Sequence, residues 1–460
     1  MTESRLAAPQ TQNDARAAEV TPRGGRLFLA FLIYAGISAV ALWLLNGGVS
    51  DLAKGNAGVL MSIGRLTGLL AALAAMTGLY LAARPRGLER RLGLERMLAW
   101  HRVTGIVTVS LVVVHSVADT VGWARTAGVN VGEQLMEFVA HQDWMTAALV
   151  GALLFLVVGV TSWRRIRRLM PYESWYFIHL SGYLAVLLAF GHQVTIGSDV
   201  TANQLITWWW ATVFICFVVA ISWARIGDLG RAVGRGSLRV SRRIDSTADT
   251  TSIIVSGPGL KRLEARPGHY FMIRLLTPHL WWQAHPISLS AAPEPEGLRF
   301  TVKDLGDGSA AIGEAPVGTR VILEGPYGIF TVDAARGAPV LLVAGGIGVA
   351  PIRALLEDCS PGQRPMVVIR ARRREDIAHL DEIALLAEER GGAVHLLTGP
   401  RQAFREGRPF HPEDLHRMVP DLTDRDVFVC GPGSLERAVV DSVRALGVQA
   451  SRIHREGFRY

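Results

Sequence analysis

The sequence predicts a membrane α-helical bundle of six transmembrane helices, followed by an antiparallel β-barrel and then a parallel α/β domain. Three observations predict it. Half the residues are hydrophobic, 19% are charged and the mean hydropathy is +0.26; an ordinary soluble domain carries roughly 25% charge. Apolar runs long enough to cross a bilayer, about 20 residues each as helices, all lie before residue 225. Beyond it the pattern turns soluble, first with short β-type runs broken by Gly and Pro, then with alternating strand and helix. This composition excludes a disordered chain, which needs low hydrophobicity and high charge, and a wholly soluble protein. The expected organisation is a disordered tail over 1–25, a six-helix domain over 26–225, a barrel over 236–334 and an α/β domain over 338–460.

The spans are expected at about 27–46, 57–82, 98–118, 144–162, 175–194 and 205–224. The connecting charges are lopsided. Arg84, Arg86, Arg90, Arg91 and Arg96 lie in one loop, Arg164, Arg165, Arg167 and Arg168 in another, and Arg5, Arg16, Arg23 and Arg26 in the tail. The alternate loops hold little beyond Lys54 and Arg125. The positive-inside rule therefore puts both termini in the cytoplasm, in a multi-pass protein of the cell (plasma) membrane. The excess of 48 Lys+Arg over 40 Asp+Glu is +8. Because it is topological, nucleic acid is not an expected partner and the lipid bilayer is. The tail has no compact basic segment and the first run ends in Asn46-Gly47-Gly48, so a retained anchor without a cleaved signal is expected. Three cysteines exclude a disulfide framework and a cysteine-ligated iron–sulfur cluster.

The barrel strands are expected at Leu238–Ile244, Thr251–Ser256, His269–Leu275, Arg299–Lys303 and Arg320–Glu324. The α/β strands are Val340–Ala344, Met366–Arg370, Ala393–Leu397 and Asp426–Cys430, with helices at Pro351–Asp358 and Leu435–Leu446.

Four intramembrane histidines carry the first chemistry. His101 and His115 lie on the third span, His179 and His192 on the fifth. Both spans run outward, so His101 and His179 share an inner depth. His115 and His192 follow 14 and 13 residues later, about 20 Å further out at ~1.5 Å per residue. Two pairs at matched depths suit two stacked haems, each with a histidine on both faces, an arrangement that favours electron transfer. The plain alternative is interhelical hydrogen bonding. At ~100° per residue, His192 falls about 140° from the face of His179. Either the fifth helix is irregular near Gly182 or Gly191, or the two haems meet it from different sides. Arg65, in the outer half of the second span, is costly there and functional by default. It pairs with a haem propionate, steers an acceptor or reaches for lipid headgroups.

The soluble part carries nucleotide-handling signals. His285-Pro286-Ile287-Ser288 follows Pro267-Gly268-His269-Tyr270-Phe271, and Lys303 to Ser309 forms a Gly-rich turn. The strand ending at Ala344 runs into Gly345-Gly346-Ile347-Gly348-Val349-Ala350-Pro351, a turn that offers backbone N–H groups to phosphate. Cys430-Gly431-Pro432-Gly433 ends a later strand of the same sheet, where ligands of parallel sheets gather. The strand ending at Ile369 opens into Arg370, Arg372, Arg373 and Arg374. Arginine there accommodates a ribose 2′-phosphate; a solvated charge cluster is the bland reading.

Over roughly 57–460 this combination resembles the NADPH oxidase and ferric reductase family, whose cytosolic part is similar to ferredoxin–NADP reductase. The histidine spacing resembles its haem signature, His285-Pro286-x-Ser288 its flavin motif, and Gly345-Gly346-x-Gly348-Val349-Ala350-Pro351 with Cys430-Gly431-Pro432 its pyridine-nucleotide motifs. His454-x-Glu456-x-Phe458 resembles the C-terminal segment whose aromatic residue covers the flavin. The resemblance implies an α/β domain of Rossmann-like type and an NAD(P)H-dependent flavohaem oxidoreductase with FAD, two haem b groups and NADPH, NADH being the alternative donor. Electrons would reach a small-molecule acceptor outside, dioxygen or a ferric chelate. Ser288 would lie near the flavin N5, Cys430 near the nicotinamide, and Lys303 and Ser309 near flavin phosphates. Arg372 and Arg373 would bind the 2′-phosphate, and Arg65 would act at the outer haem. Two departures stand out. Ile287 replaces an aromatic, and the chain runs past Phe458, so Phe458 or Tyr460 is the ring cover. No calcium-binding loop is present in the sequence. Other readings are a transporter or sensor with a nucleotide-binding regulatory domain, and a conduit that feeds an external redox protein. Oligomeric state is not encoded legibly.

Overall fold

The computed structural model describes residues 23–234, 236–278 and 280–457. It divides into two compact units, one of residues up to Leu88 with Arg96–Ala224, the other of Glu89–Glu95 with Arg225 onward.

The first unit is helical. Helices α1 (Arg23–Leu45), α2 (Gly55–Ala82), α3 (Leu94–Ala127), α5 (Met145–Ser162), α6 (Tyr172–Thr195) and α7 (Gln204–Val233) are the six long and apolar enough to cross a membrane, and the shorter α4 (Val131–His141) stands between α3 and α5. Their Leu-, Ala- and Val-rich runs contain no internal proline. Pro171 precedes α6, and Gly128, at φ 72°, closes α3. Asn130 and Glu133 open α4 with reciprocal side-chain caps of 2.9 and 3.2 Å. Helix α3 is longer than the apolar run over 98–118 predicts. Asp119 and Arg125 end the hydropathy signal, but neither breaks a helix. Phe217, Met76 and Val186 form one buried cluster, Trp210 and Leu69 another.

The second unit holds two sheets. Strands β1 (Leu238–Thr247), β2 (Thr250–Ser256), β3 (Tyr270–Leu275), β4 (His285–Ser288), β5 (Leu298–Lys303) and β6 (Arg320–Tyr327) form an antiparallel sheet of order β4-β3-β6-β1-β2-β5. A one-turn-and-more helix, α8 (Asp307–Gly313), follows β5. The sheet curls until its edges meet: beyond β4, Leu289 pairs with Phe300 of β5, and Ser290 N–H donates to the Arg299 carbonyl at 2.9 Å. Phe271 and Phe300 pack edge to face at 5.7 Å in its core. Neither β4 nor α8 is expected as an element, because His-Pro and Gly-rich turns carry no periodic signal over so few residues.

Strands β7 (Val340–Gly345), β8 (Met366–Arg370), β9 (Ala393–Leu397), β10 (Asp426–Gly431) and β11 (Ile453–Gly457) form a parallel sheet of order β11-β10-β7-β8-β9. Helices α9 (Val349–Asp358), α10 (Leu380–Glu389), α11 (Pro412–Met418) and α12 (Gly433–Ala445) connect and cover it. Strands β7 and β10 are wholly buried, as continuous apolar runs in a doubly covered sheet must be. Edge strand β11 is polar in sequence and is added here to the expected four. Within this unit Gly328 N–H donates to the buried Glu89 carboxylate at 3.0 Å, and Tyr327 Oη donates to Asp228 at 2.9 Å.

Candidate functional site

The histidines converge as their spacing predicts. His101 and His179 stand with ring centroids 5.8 Å apart and planes at 76°. His115 and His192 stand 6.2 Å apart at 28°. Helix α6 runs unbroken through both of its histidines. Of the two alternatives, an irregular helix near Gly182 or Gly191 is not seen, which leaves the two pairs on different sides of α6.

The second nitrogens of three of the rings are engaged. His101 Nδ1 lies 2.9 Å from the Gly78 carbonyl, and His115 Nδ1 lies 2.9 Å from that of Gly64. A carbonyl only accepts, so each Nδ1 is the donor, and in a neutral ring the lone pair then lies on Nε2. His179 Nδ1 meets Ser162 Oγ at 3.1 Å, and Trp175 stacks on the same ring at 4.9 Å. His192 Nδ1 is buried near the Ala189 backbone. Imidazole–metal bonds are about 2 Å, and the ring centre lies ~1 Å behind the nitrogen. Two axial imidazoles on one iron therefore put their centroids roughly 6 Å apart. Both pairs fit that span. Glycines of α2, which the sequence reading passed over, make the fit: a Cβ at Gly68 would stand 2.8 Å from His115 Nδ1, and one at Gly78 would stand 3.0 Å from Thr104 Oγ1.

A cavity of about 960 Å³ opens beside the His115–His192 pair, lined by Arg65, His115, Asp119, Gln134, His192 and Asp199 among others. Arg65 is clamped. It donates from Nε and Nη2 to Asp199, from Nη1 to Asp51 at 2.5 Å and from Nη2 to the Asn46 carbonyl at 3.0 Å. Four of its five N–H groups are thus taken by these partners. Arg65 thus ties the turn around Asn46 and Asp51 to Asp199 at the cavity edge.

In the second unit, β4 pairs with β3 so that Ser288 faces Tyr270 and His285 faces Ile273. Ser288 Oγ is buried and has no hydrogen-bond partner. Pro286 lies between them in register with Met272, and Ile287 packs against the barrel core. His285 Nε2 meets Gln283 at 3.1 Å, and burial, then Arg274, pushes its pKa down. A side chain at Gly308 would collide with the His285 ring, which brings the β4 motif against the turn that opens α8. Lys303 is ion-paired with Asp249 at 2.8 Å, and Ser309 Oγ accepts from Leu305 N–H and donates to the Gly306 carbonyl, both at 2.9 Å. Ser309 therefore braces its own turn, and Lys303 ties the end of β5 to the β1–β2 turn.

The two glycine motifs meet at the carboxyl ends of β7 and β10. Cys430 is in register with Ala344, a Cβ at Gly348 would collide with the Cys430 carbonyl, and Gly345 abuts Gly431. Gly346 takes φ 56°, which turns the chain into α9. Val349, Pro351 and Cys430 are buried, and Pro432 precedes α12. The arginines divide. Arg370 donates to the carbonyls of Leu397 at 2.9 Å and Gly399 at 2.6 Å and lies over the Phe404 ring. Exposed Arg373 pairs with Asp376 at 2.9 Å and Glu375 at 3.5 Å. Arg372 is exposed, and it and Arg401 are the charged neighbours that, after burial, lower the Arg370 pKa. Arg401, from the loop after β9, has no local sequence signal. Phe458 and Tyr460 lie outside the described residues.

A partly buried polar network, also unforeseen, joins the two sheets' elements. Glu382 accepts from Arg299 at 2.8 and 3.1 Å, from Arg353 at 2.8 Å and from His379 Nδ1 at 3.1 Å. His379 first, then Arg299 and Arg353, hold the Glu382 carboxyl well below the usual range. Arg299 and Arg353 also reach the Ser290 carbonyl, two residues beyond β4.

Residues 67–190 match the family described as ferric reductase like transmembrane component, and residues 342–441 match the oxidoreductase NAD-binding domain. Among curated proteins, the chain is 28% identical over 239 residues to the ferredoxin reductase component of 3-ketosteroid-9-alpha-monooxygenase of Mycobacterium tuberculosis, covering 48% of this chain and 65% of that protein. It is 30% identical over 249 residues to a flavohemoprotein of Bordetella pertussis, covering 50% and 62%. It thus spans less than two thirds of the length of these relatives. Among solved structures, it is similar to the flavohem-like FAD/NAD binding domain of nitric oxide dioxygenase from Vibrio cholerae, at 24% identity and a TM-score of 0.41, covering 48% of this chain and 98% of that one. The chain joins a ferric-reductase-like transmembrane component to a FAD/NAD-binding module of the ferredoxin-reductase type, a combination consistent with the ferric reductase and NADPH oxidase-like family.

Proposed function

We propose that the protein is a transmembrane oxidoreductase that carries electrons from cytosolic NAD(P)H through FAD and two bis-histidine haems to an acceptor outside, dioxygen or a ferric chelate. The observation that carries this reading is the pairing of His101 with His179 and of His115 with His192 at centroid distances of 5.8 and 6.2 Å. Flavin supplies the conversion of a two-electron hydride donor into single electrons, and haem supplies one-electron transfer. The chain's residues do the rest. Gly64 and Gly78 orient the ligand rings through Nδ1. The unpartnered Ser288 hydroxyl at the end of β4 is available to the flavin, and the Gly346 turn with the N-terminal end of α9 is available to the nicotinamide nucleotide's phosphates. The charge distribution of the connecting loops supports cytoplasmic termini and a plasma-membrane setting.

The test is a purified preparation supplied with FAD and NADPH, with dioxygen and a ferric chelate offered separately. The expected result is a reduced spectrum with paired-histidine haem bands that forms on NADPH and decays on acceptor. A preparation with no haem absorbance would sink the reading and favour a transporter or sensor.

A further inference from the structure

Asp119 lies one turn beyond His115 on α3, with Oδ2 3.1 Å from His115 Nδ1. The Gly64 carbonyl is 2.9 Å from the same nitrogen. The single N–H is therefore shared between a neutral acceptor and a carboxylate. The second carboxylate oxygen, Oδ1, is buried and has no hydrogen-bond partner. It faces Gly64, whose missing side chain leaves the room: a Cβ there would collide with Oδ1. A carboxylate in an apolar span is costly, and an unsatisfied oxygen adds to that cost. The Gly64 carbonyl already suffices to orient the ring, so orientation alone does not account for the charge.

We propose that Asp119 is a positioning residue that lowers the reduction potential of the outer haem. The proposal rests on His115 and His192 being that haem's ligands. A carboxylate that accepts from Nδ1–H makes the imidazole a stronger donor to bound iron. Its negative charge close to the ligand also favours the ferric state, whose net charge is more positive. Both effects act in one direction, and axial-ligand hydrogen bonding is one of the levers by which proteins set haem potentials. The outer haem becomes the stronger reductant toward whatever acceptor enters the cavity.

The test is a redox titration of the purified full-length protein, followed by haem absorbance, in wild type, Asp119→Asn and Gly64→Ala. Asp119→Asn keeps the shape and removes the charge. Gly64→Ala keeps the carboxylate and pushes it off His115. In both variants one midpoint should rise while the other stays. The expected size is at least tenfold in the electron-sharing equilibrium between the haems, about 59 mV for a one-electron couple. Two unchanged midpoints in Asp119→Asn, with both haems retained, overturn the proposal. Should Asp119→Asn fail to load haem, an unshifted midpoint in Gly64→Ala overturns it instead. Absence of two haems in the wild type is a separate result that removes the ligand reading itself.

Discussion

His115 and His192 face each other across 6.2 Å, ring to ring and within 28° of parallel, although they come from helices separated in sequence by the whole of α4 and α5. That distance fits one metal ion with an imidazole on either side. His115→Ala should therefore remove one haem of two and leave the nucleotide module able to pass electrons from NADPH to a soluble dye. A haem-to-protein ratio equal to wild type in this variant would count against the pair as ligands.

Arg65 is bonded to Asp51 and Asp199, and Asp199 is only 3% exposed. Arg65→Leu leaves the buried Asp199 carboxylate uncompensated, while Asp51 keeps Lys54 at 2.7 Å; breaking one partner of a buried pair costs about 3–5 kcal/mol. The variant should melt earlier and should reoxidise more slowly with acceptor. Adding Asp199→Asn should restore much of the melting temperature but not the reoxidation rate. Recovery of both together would make Arg65 structural only.

What was legible in the sequence follows from physics that acts locally. Lipid demands long apolar helices, so the spans could be read, and a histidine pair at matched depth survives as spacing. Asp119 was not legible, because its meaning depends on Gly64 of another helix 55 residues away. The same holds for Glu382, whose partner Arg299 lies 83 residues earlier. Strand β4 escaped notice because four residues beginning His-Pro show no alternation, and β11 because an edge strand need not be apolar. The glycine motifs at β7 and β10 were readable singly, while their contact through Gly348 and the Cys430 carbonyl required the sheet order.

His269 gives the nucleotide module an acid limit. Its Nδ1 accepts from Arg266 N–H at 3.1 Å, and burial first, then Arg266 and Arg90, brings its pKa down to about 4. Unfolded, the ring titrates near 6.5. The unfolded chain therefore binds more protons between these values, and stability falls as pH drops from about 6.5 toward 4, by up to roughly 3 kcal/mol. Above 6.5 the contribution is complete and flat. Melting of the full-length protein, followed by release of flavin fluorescence between pH 7.5 and 4.5, should show a shallower acid slope in His269→Gln. Parallel slopes would remove His269 from the account.

The arginines after β8 predict which nicotinamide nucleotide is preferred, and the structure ranks them. Arg370 is committed to backbone carbonyls, and Arg373 to Asp376 and Glu375. Arg372 is exposed, close to Arg370 and near enough to share its field with Arg401. Three cations gathered at the end of a strand repel one another, and a dianionic 2′-phosphate relieves that repulsion while accepting the parallel donors of a guanidinium. A charge-assisted hydrogen bond is worth about ten- to a hundredfold in kcat/KM. The wild type should favour NADPH over NADH by about that factor. Arg372→Ala and Arg401→Ala should each erode the preference with little change for NADH, and Arg373→Ala should erode it less, since its charge is already neutralised. Steady-state kinetics with both nucleotides on these variants decides the matter. Equal kcat/KM for the two nucleotides in the wild type would falsify the assignment, and a larger loss from Arg373→Ala than from Arg372→Ala would reverse the ranking.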